Sequence, residues 1–130
     1  MIYNDIVNNT SEQDEVFVFP HMLIFNVMSG RTNSNFVPVT WFDVCPDQYA
    51  ISTAEWIERT RPKIIINMII SKLAIDVHEK LFRNGNKSGQ REIMKVINEL
   101  KMNGDYVVID TFNGSGDSPD WPIEILLRKG

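Results

Sequence analysis

Apolar residues along this chain fall into short blocks whose period switches between two and about 3.6. Tyr3, Ile6 and Val7 stand at helical spacing before the polar cluster Asn8-Asn9-Thr10-Ser11, which predicts a short helix over residues 2–8. Glu15 to Phe19 (EVFVF) is β-branched and aromatic and is closed by Pro20, the pattern of a buried strand. Residues 21–29 are apolar nearly all round and stop at Gly30, which predicts a short buried helix with Gly30 as its left-handed cap. Val37 to Phe42 reads as a weaker strand; Pro38 interrupts it, so it belongs near a sheet edge. Ser52-Thr53-Ala54-Glu55 has the form of a capping box and predicts a helix that runs to about Arg61, where Pro62 ends it.

The second half is more regular. Lys63 to Ile70 (KIIINMII) is apolar almost throughout, as a central strand covered on both faces would be. Leu73, Val77 and Leu81 recur every four residues and predict a helix over 71–83. After the turn-like Asn84-Gly85-Asn86-Lys87, Ser88 is a candidate cap for a helix carrying Ile93, Val96, Ile97 and Leu100, with Gly104 as its stop. Tyr106 to Phe112 and Pro122 to Arg128 read as the last two strands, separated by the polar loop 113–120. Strands alternating with helices imply one α/β domain over residues 1–130. The expected form is a three-layer, Rossmann-like arrangement: a mainly parallel sheet of about five strands, helices on both faces, and a C-terminal antiparallel hairpin.

Composition narrows the function classes. The 130 residues carry 13 basic and 17 acidic side chains, a net charge of -4 with no basic stripe, so no nucleic-acid partner is expected. The apolar content of 43% is that of a globular chain able to bury a core. No apolar run approaches the roughly 20 residues of a membrane span, so no membrane insertion is expected, and the N-terminus has no secretory leader pattern. The lone cysteine, Cys45, can form neither an internal disulfide nor a zinc cluster and reads as an inert thiol.

Candidate chemistry is sparse. Ligands of an open parallel sheet bind beyond the carboxyl ends of its strands, which points to His21 after the first strand and Asp43 after the second. Phe19-Pro20-His21-Met22 lacks the phosphate-cradling glycines of a dinucleotide fold, and Gly85-Asn86-Lys87-Ser88 lacks the spacing of a P-loop, so no cofactor is expected. His78-Glu79 lacks the second histidine of a zinc helix, and no metal site is expected. Arg83, Lys87 and Arg91 flank one turn and could grip a phosphate or carboxylate; the plainer alternative is a solvated charged face. Asp43, Asp47, Asp117 and Asp120 are loop carboxylates; a pair of them could run glycosidic chemistry, and the plainer alternative is that they are turn formers. Trp41 and Trp121 stand near strand ends, where aromatics can stack on sugars, while Trp56 reads as core.

Val18-Phe19-Pro20-His21 followed by Phe25-Asn26-Val27-Met28-Ser29-Gly30-Arg31 resembles a segment of the soluble C-terminal domain of polytopic membrane glycosyltransferases, the mannosyl- and aminoarabinosyl-transferase-like proteins. The likeness extends through Arg61-Pro62-Lys63-Ile64-Ile65-Ile66 and covers roughly residues 14–70. Asn26 stands where that pattern commonly has an aromatic. The resemblance implies a non-catalytic accessory or binding domain on the extracytoplasmic, periplasmic side of the membrane. Its partners would be the membrane domain of its parent protein, or a sugar or lipid-phosphate ligand. Whichever reading holds, the ligand-binding candidates are His21, Arg31, Asp43, His78, Arg83 and Arg91. Two other readings stay open. One is a small transferase or hydrolase for a sugar or anionic substrate, with His21, Arg31 and Asp43 at the carboxyl edge. The other is a cytoplasmic domain that self-associates through an exposed strand edge.

Overall fold

The computed structural model describes residues 1–20, 24–35, 37, 39–42, 44–113 and 121–130. Its elements, in chain order, are α1 (Ile2–Asn9), β1 (Val16–Phe19), α2 (Ile24–Ser29), α3 (Asp47–Thr60), β2 (Ile64–Met68), α4 (Lys72–Phe82), α5 (Gln90–Met102), β3 (Tyr106–Phe112) and β4 (Ile123–Arg128). The four strands form one mixed sheet in the order β1-β2-β4-β3. β1 pairs parallel with β2, Val16 opposite Ile64, and β4 pairs antiparallel with both β2 and β3.

The period-two side-chain pattern of the strands divides the core into two. Val16, Val18, Ile64, Ile66 and Ile125 face one way and pack with Ile6 of α1 and the half-buried Phe25 of α2. Phe17, Phe19, Ile65 and Leu126 face the other way, against Ala54, Trp56 and Ile57 of α3, Ile75 of α4 and Ile93, Ile97 and Leu100 of α5. Both faces of the sheet are therefore covered, which is why β1 and β2 are apolar at successive positions.

The α/β class and the closing antiparallel strand pair agree with the sequence pattern; among the described residues the sheet has four strands, not five, and is not mainly parallel. β1, β2 and β3 do run in one direction, as alternation with helices requires, but β4 slots between β2 and β3 and makes two of the three pairings antiparallel. Val37 and residues 39–42 are not a strand. Proline offers no donor to a ladder, and this stretch instead hangs from the end of β1, where the Thr40 amide donates to the Pro20 carbonyl at 3.1 Å. Ser52 does not open α3, which begins five residues earlier at Asp47; Thr53 turns its hydroxyl back to the Tyr49 carbonyl, 2.8 Å away, as an interior helical threonine does. The start is fixed from outside, since the Asp47 carboxylate accepts from the Gly89 amide at 2.8 Å. The helix expected over 21–29 is present from Ile24, but it is not buried: Ile24, Val27 and Met28 are exposed, and Asn26 and Ser29 take the inward places; residues 21–23 lie outside the described residues.

Candidate functional site

The carboxyl ends of β1 and β2 are built into a small aromatic cleft. Thr40 fastens the segment after β1 by donating both its amide and its hydroxyl to the Pro20 carbonyl. Gln90, fully buried at the start of α5, holds the next turn by donating to the carbonyls of Thr40 and Cys45, each 3.3 Å away. On the β2 side the Ile69 amide donates to the Pro122 carbonyl at 2.8 Å, which brings Trp121 to the end of the strand. Ser71 then caps α4, its hydroxyl accepting from the Ala74 amide at 3.1 Å.

These anchors leave a half-open cavity of about 160 Å³ lined by Trp41, Phe42, Ile70, Ala74, Ile75, His78 and Trp121. Its rim is a chain of rings. Trp41 meets Phe42 edge-on at 5.9 Å, Phe42 lies 5.4 Å from the His78 imidazole, and His78 lies 5.2 Å from Phe82. An apolar cavity of about 150 Å³ accepts one benzene ring, so this one is sized for a single six-membered ring.

Beside the cleft, α4 and the start of α5 are joined by an ion network. Arg91 grips Glu79 with two hydrogen bonds, 2.7 Å from Nε and 2.6 Å from Nη2, and reaches Asp76 at 2.8 Å. The other Glu79 partner is the Ser88 amide at 2.8 Å. Arg83 pairs with Asp47 and donates to the carbonyls of Asn86 and Lys87. Fixed donors favour the ionised carboxylates. The Arg91 guanidinium and the Ser88 amide hold Glu79 down at about 2 against the cost of its burial. The Gly89 amide and Arg83 lower Asp47, and Lys72 and Arg91 lower Asp76. Burial, with the Asp47 charge behind it, pushes the Cys45 thiol up, away from the range of a nucleophile.

No family model, curated protein or solved structure matches this chain.

Of the residues singled out in the sequence, His78, Trp41 and Trp121 converge on the cleft. His21 and Asp43 lie outside the described residues. Arg31 does not reach the carboxyl edge. The chain turns back after β1, so that the Val16 amide meets the Thr32 carbonyl at the amino end of that strand. There the Arg31 guanidinium donates to the Thr10 hydroxyl and carbonyl and to the Ser29 carbonyl, tying the end of α2 to the end of α1. Asn26, the departure from the aromatic of the resembled segment, is buried and donates to the Val16 and Arg31 carbonyls. Arg83 and Arg91 do flank one turn, but their donors are turned onto carboxylates and carbonyls of the chain itself.

The structure adds a polar set inside the sheet that the sequence pattern does not single out. Asn67 of β2 and Glu124 of β4 are register partners, both buried; Asn67 donates to Glu124 at 2.9 Å, and Lys101 at the end of α5 donates to both Glu124 oxygens at 3.0 and 3.1 Å. The signal was present: Glu124 is the acid inside Ile123–Leu127, and Asn67 the polar residue inside Ile64–Ile70. Among the described residues no cluster of three or more His, Cys, Asp or Glu could hold a metal ion, and no helix is long and apolar enough to cross a membrane.

Proposed function

We propose that this chain is a non-catalytic ring-binding domain, and that its ligand is a sugar whose pyranose ring enters the aromatic cleft. The cleft itself supports this reading. It is aromatic on several sides, carries one imidazole at its rim, and has the volume of one six-membered ring. The apolar C–H face of a pyranose packs on an indole, while its hydroxyls need a few polar contacts at the rim, the usual division of labour in a small-molecule site. The strongly polarised groups next to the cleft are spent on one another: Glu79 and Asp76 on Arg91, and Asp47 on Arg83. This favours binding over an acid–base role for them. The resemblance to the soluble domain of membrane glycosyltransferases gives the reading its setting. In that setting the domain is extracytoplasmic, Rossmann-like in descent, attached to a membrane domain that performs transfer, and presents or senses the sugar.

Indole fluorescence tests this. Titration with methyl α-mannopyranoside and 4-nitrophenyl α-mannopyranoside is expected to give a saturable change that Trp41→Ala and Trp121→Ala each weaken at least about tenfold. Trp56 is buried away from the cleft, with its indole N–H on the Ser34 hydroxyl at 3.0 Å, and provides a signal that should not respond. At 100 times the Kd, ligand should stabilise the fold by about 2.7 kcal/mol. No saturation with either glycoside, or equal affinity in the tryptophan variants, would remove the sugar reading.

A further inference from the structure

We infer that α4 is the seam of a homodimer, in which two copies of the helix pack antiparallel about a twofold axis beside Val77. The inference is independent of the sugar reading. It starts from an inversion in α4. Helices on a sheet ordinarily turn their apolar stripe inward. α4 buries Ile75 and Glu79, while Leu73, Val77 and Leu81 stand in a row on its outer side, 73%, 44% and 67% exposed, with Phe82 beside them at 74%. The inward place of a stripe residue is taken by Glu79, gripped by Arg91, so the helix cannot rotate its apolar row inward without pulling Glu79 off its partner. A contiguous outward apolar row marks a docking surface.

A second copy fits this row better than an unrelated surface because the row and its flank are self-complementary. A twofold interface sets each patch against itself in reverse. About an axis at Val77, Leu73 meets Leu81 of the second copy, Val77 meets Val77, and Leu81 meets Leu73. In antiparallel helix pairs the same flank of each helix meets its twin. The flank on one side carries Asp76 and Lys80. At 1.5 Å rise per residue, Lys80 lies about 4.5 Å beyond the axis, and Asp76 of the second copy about 1.5 Å beyond it on the same side. Lys80 therefore faces Asp76 of the second copy, twice over. Asp76 has acceptor sites left for this: one oxygen takes Arg91 and the other takes Lys72. The opposite flank carries Ala74 and His78, which line the cleft, and Phe82.

Cysteine cross-linking and sedimentation test the seam together. Val77→Cys is expected to give an oxidised, covalent dimer, because the axis brings the two copies of this position together. Leu73→Cys or Leu81→Cys alone should not, but a mixture of the two should. The native Cys45 is buried and serves as the background. In sedimentation equilibrium, Val77→Asp should weaken the dimer at least about tenfold, and Lys80→Glu several-fold, with circular dichroism of each variant unchanged. A parent chain that is monomeric at hundreds of micromolar would overturn the inference. So would a dimer indifferent to Val77→Asp, or cross-linking through Leu73→Cys alone. A monomer that co-sediments with anionic phospholipid vesicles through the same row would replace the second copy with a membrane surface. Each of these results is distinguishable from failure of the glycoside titration, which reads Trp41 and Trp121 and not α4's outer side.

Discussion

A β-carbon added at Gly89 would stand 2.6 Å from the Asp47 carbonyl oxygen and 2.8 Å from its α-carbon. The backbone there is ordinary right-handed, φ -63° and ψ -24°, so the glycine is required by closeness and not by conformation. The same approach lets the Gly89 amide reach the Asp47 carboxylate and thereby fixes where α3 begins. Gly89→Ala is expected to cost about 1–3 kcal/mol, as overpacking at a backbone contact does, visible as a fall of several degrees in Tm. An unchanged Tm would mean that the Asp47 turn yields freely. At this scale the sequence reveals residue types more readily than their partners. Arg83, Arg91 and His78 stand out as chemistry-bearing residues, but a guanidinium near a turn reads the same whether it waits for a phosphate or already holds Asp47 or Glu79.

Among the elements, α4 has the clearest local origin. Ser71 caps it through the Ala74 amide, and Lys72 pairs with Asp76 one turn on at 2.6 Å. That exposed pair contributes little, so the cap is the dominant local term. Ser71→Ala should cost about 1 kcal/mol and raise amide exchange in the first turn of α4 before that of α5; uniform exchange changes would show that the cap and the rest of the fold are one cooperative unit. Elements with strong periodicity were legible: β3 covers Tyr106–Phe112 as expected, and α5 and β2 agree to within a residue or two at most ends. Two were not. Val37 to Phe42 has strand-forming side chains, yet its backbone finds a partner at Pro20 instead of in a ladder. Ser52 and Glu55 have capping spacing, yet Asp47, held by Gly89 and Arg83, starts the helix earlier because a tertiary contact outweighs a local one.

At the scale of the molecule, acid should unfold this protein through its ion network. Glu79 titrates near 2 in the folded chain against an ordinary 4.5, so its contribution is present above the unfolded value and is lost as pH falls from about 4.5 towards 2. The contribution is on the order of 2–3 kcal/mol. Asp47 acts in the same direction, whereas Asp5 acts against it: burial and the neighbouring Asp110 raise its pKa, so its share is lost as pH rises. The stability difference between parent and Glu79→Gln, read from urea midpoints, should therefore shrink by that amount between pH 7 and pH 2; a constant gap would show that Glu79 is not ionised through Arg91. The direction of β1, β2 and β3 was legible from the βα alternation. Their adjacency was not, because alternation says nothing about whether a later strand can enter between two earlier ones. The cleft was legible only as a place, the carboxyl edge, with Trp41, Trp121 and His78 as isolated candidates.

That late entry of β4 has a consequence for how the chain is made. On a ribosome, β1, β2 and β3 emerge before the strand that joins β2 to β3, and Ile64 to Met68 must wait with one edge unsatisfied until Ile123 to Arg128 arrive. Sheet closure is thus set by the most distant pairing in the sequence, a slow step exposed to mispairing. The charged residue near one end of that pairing, Glu124, then acts as a register mark: it is accommodated only opposite Asn67 and beneath Lys101, so a strand inserted one residue out would turn a carboxylate into the wrong half of the core.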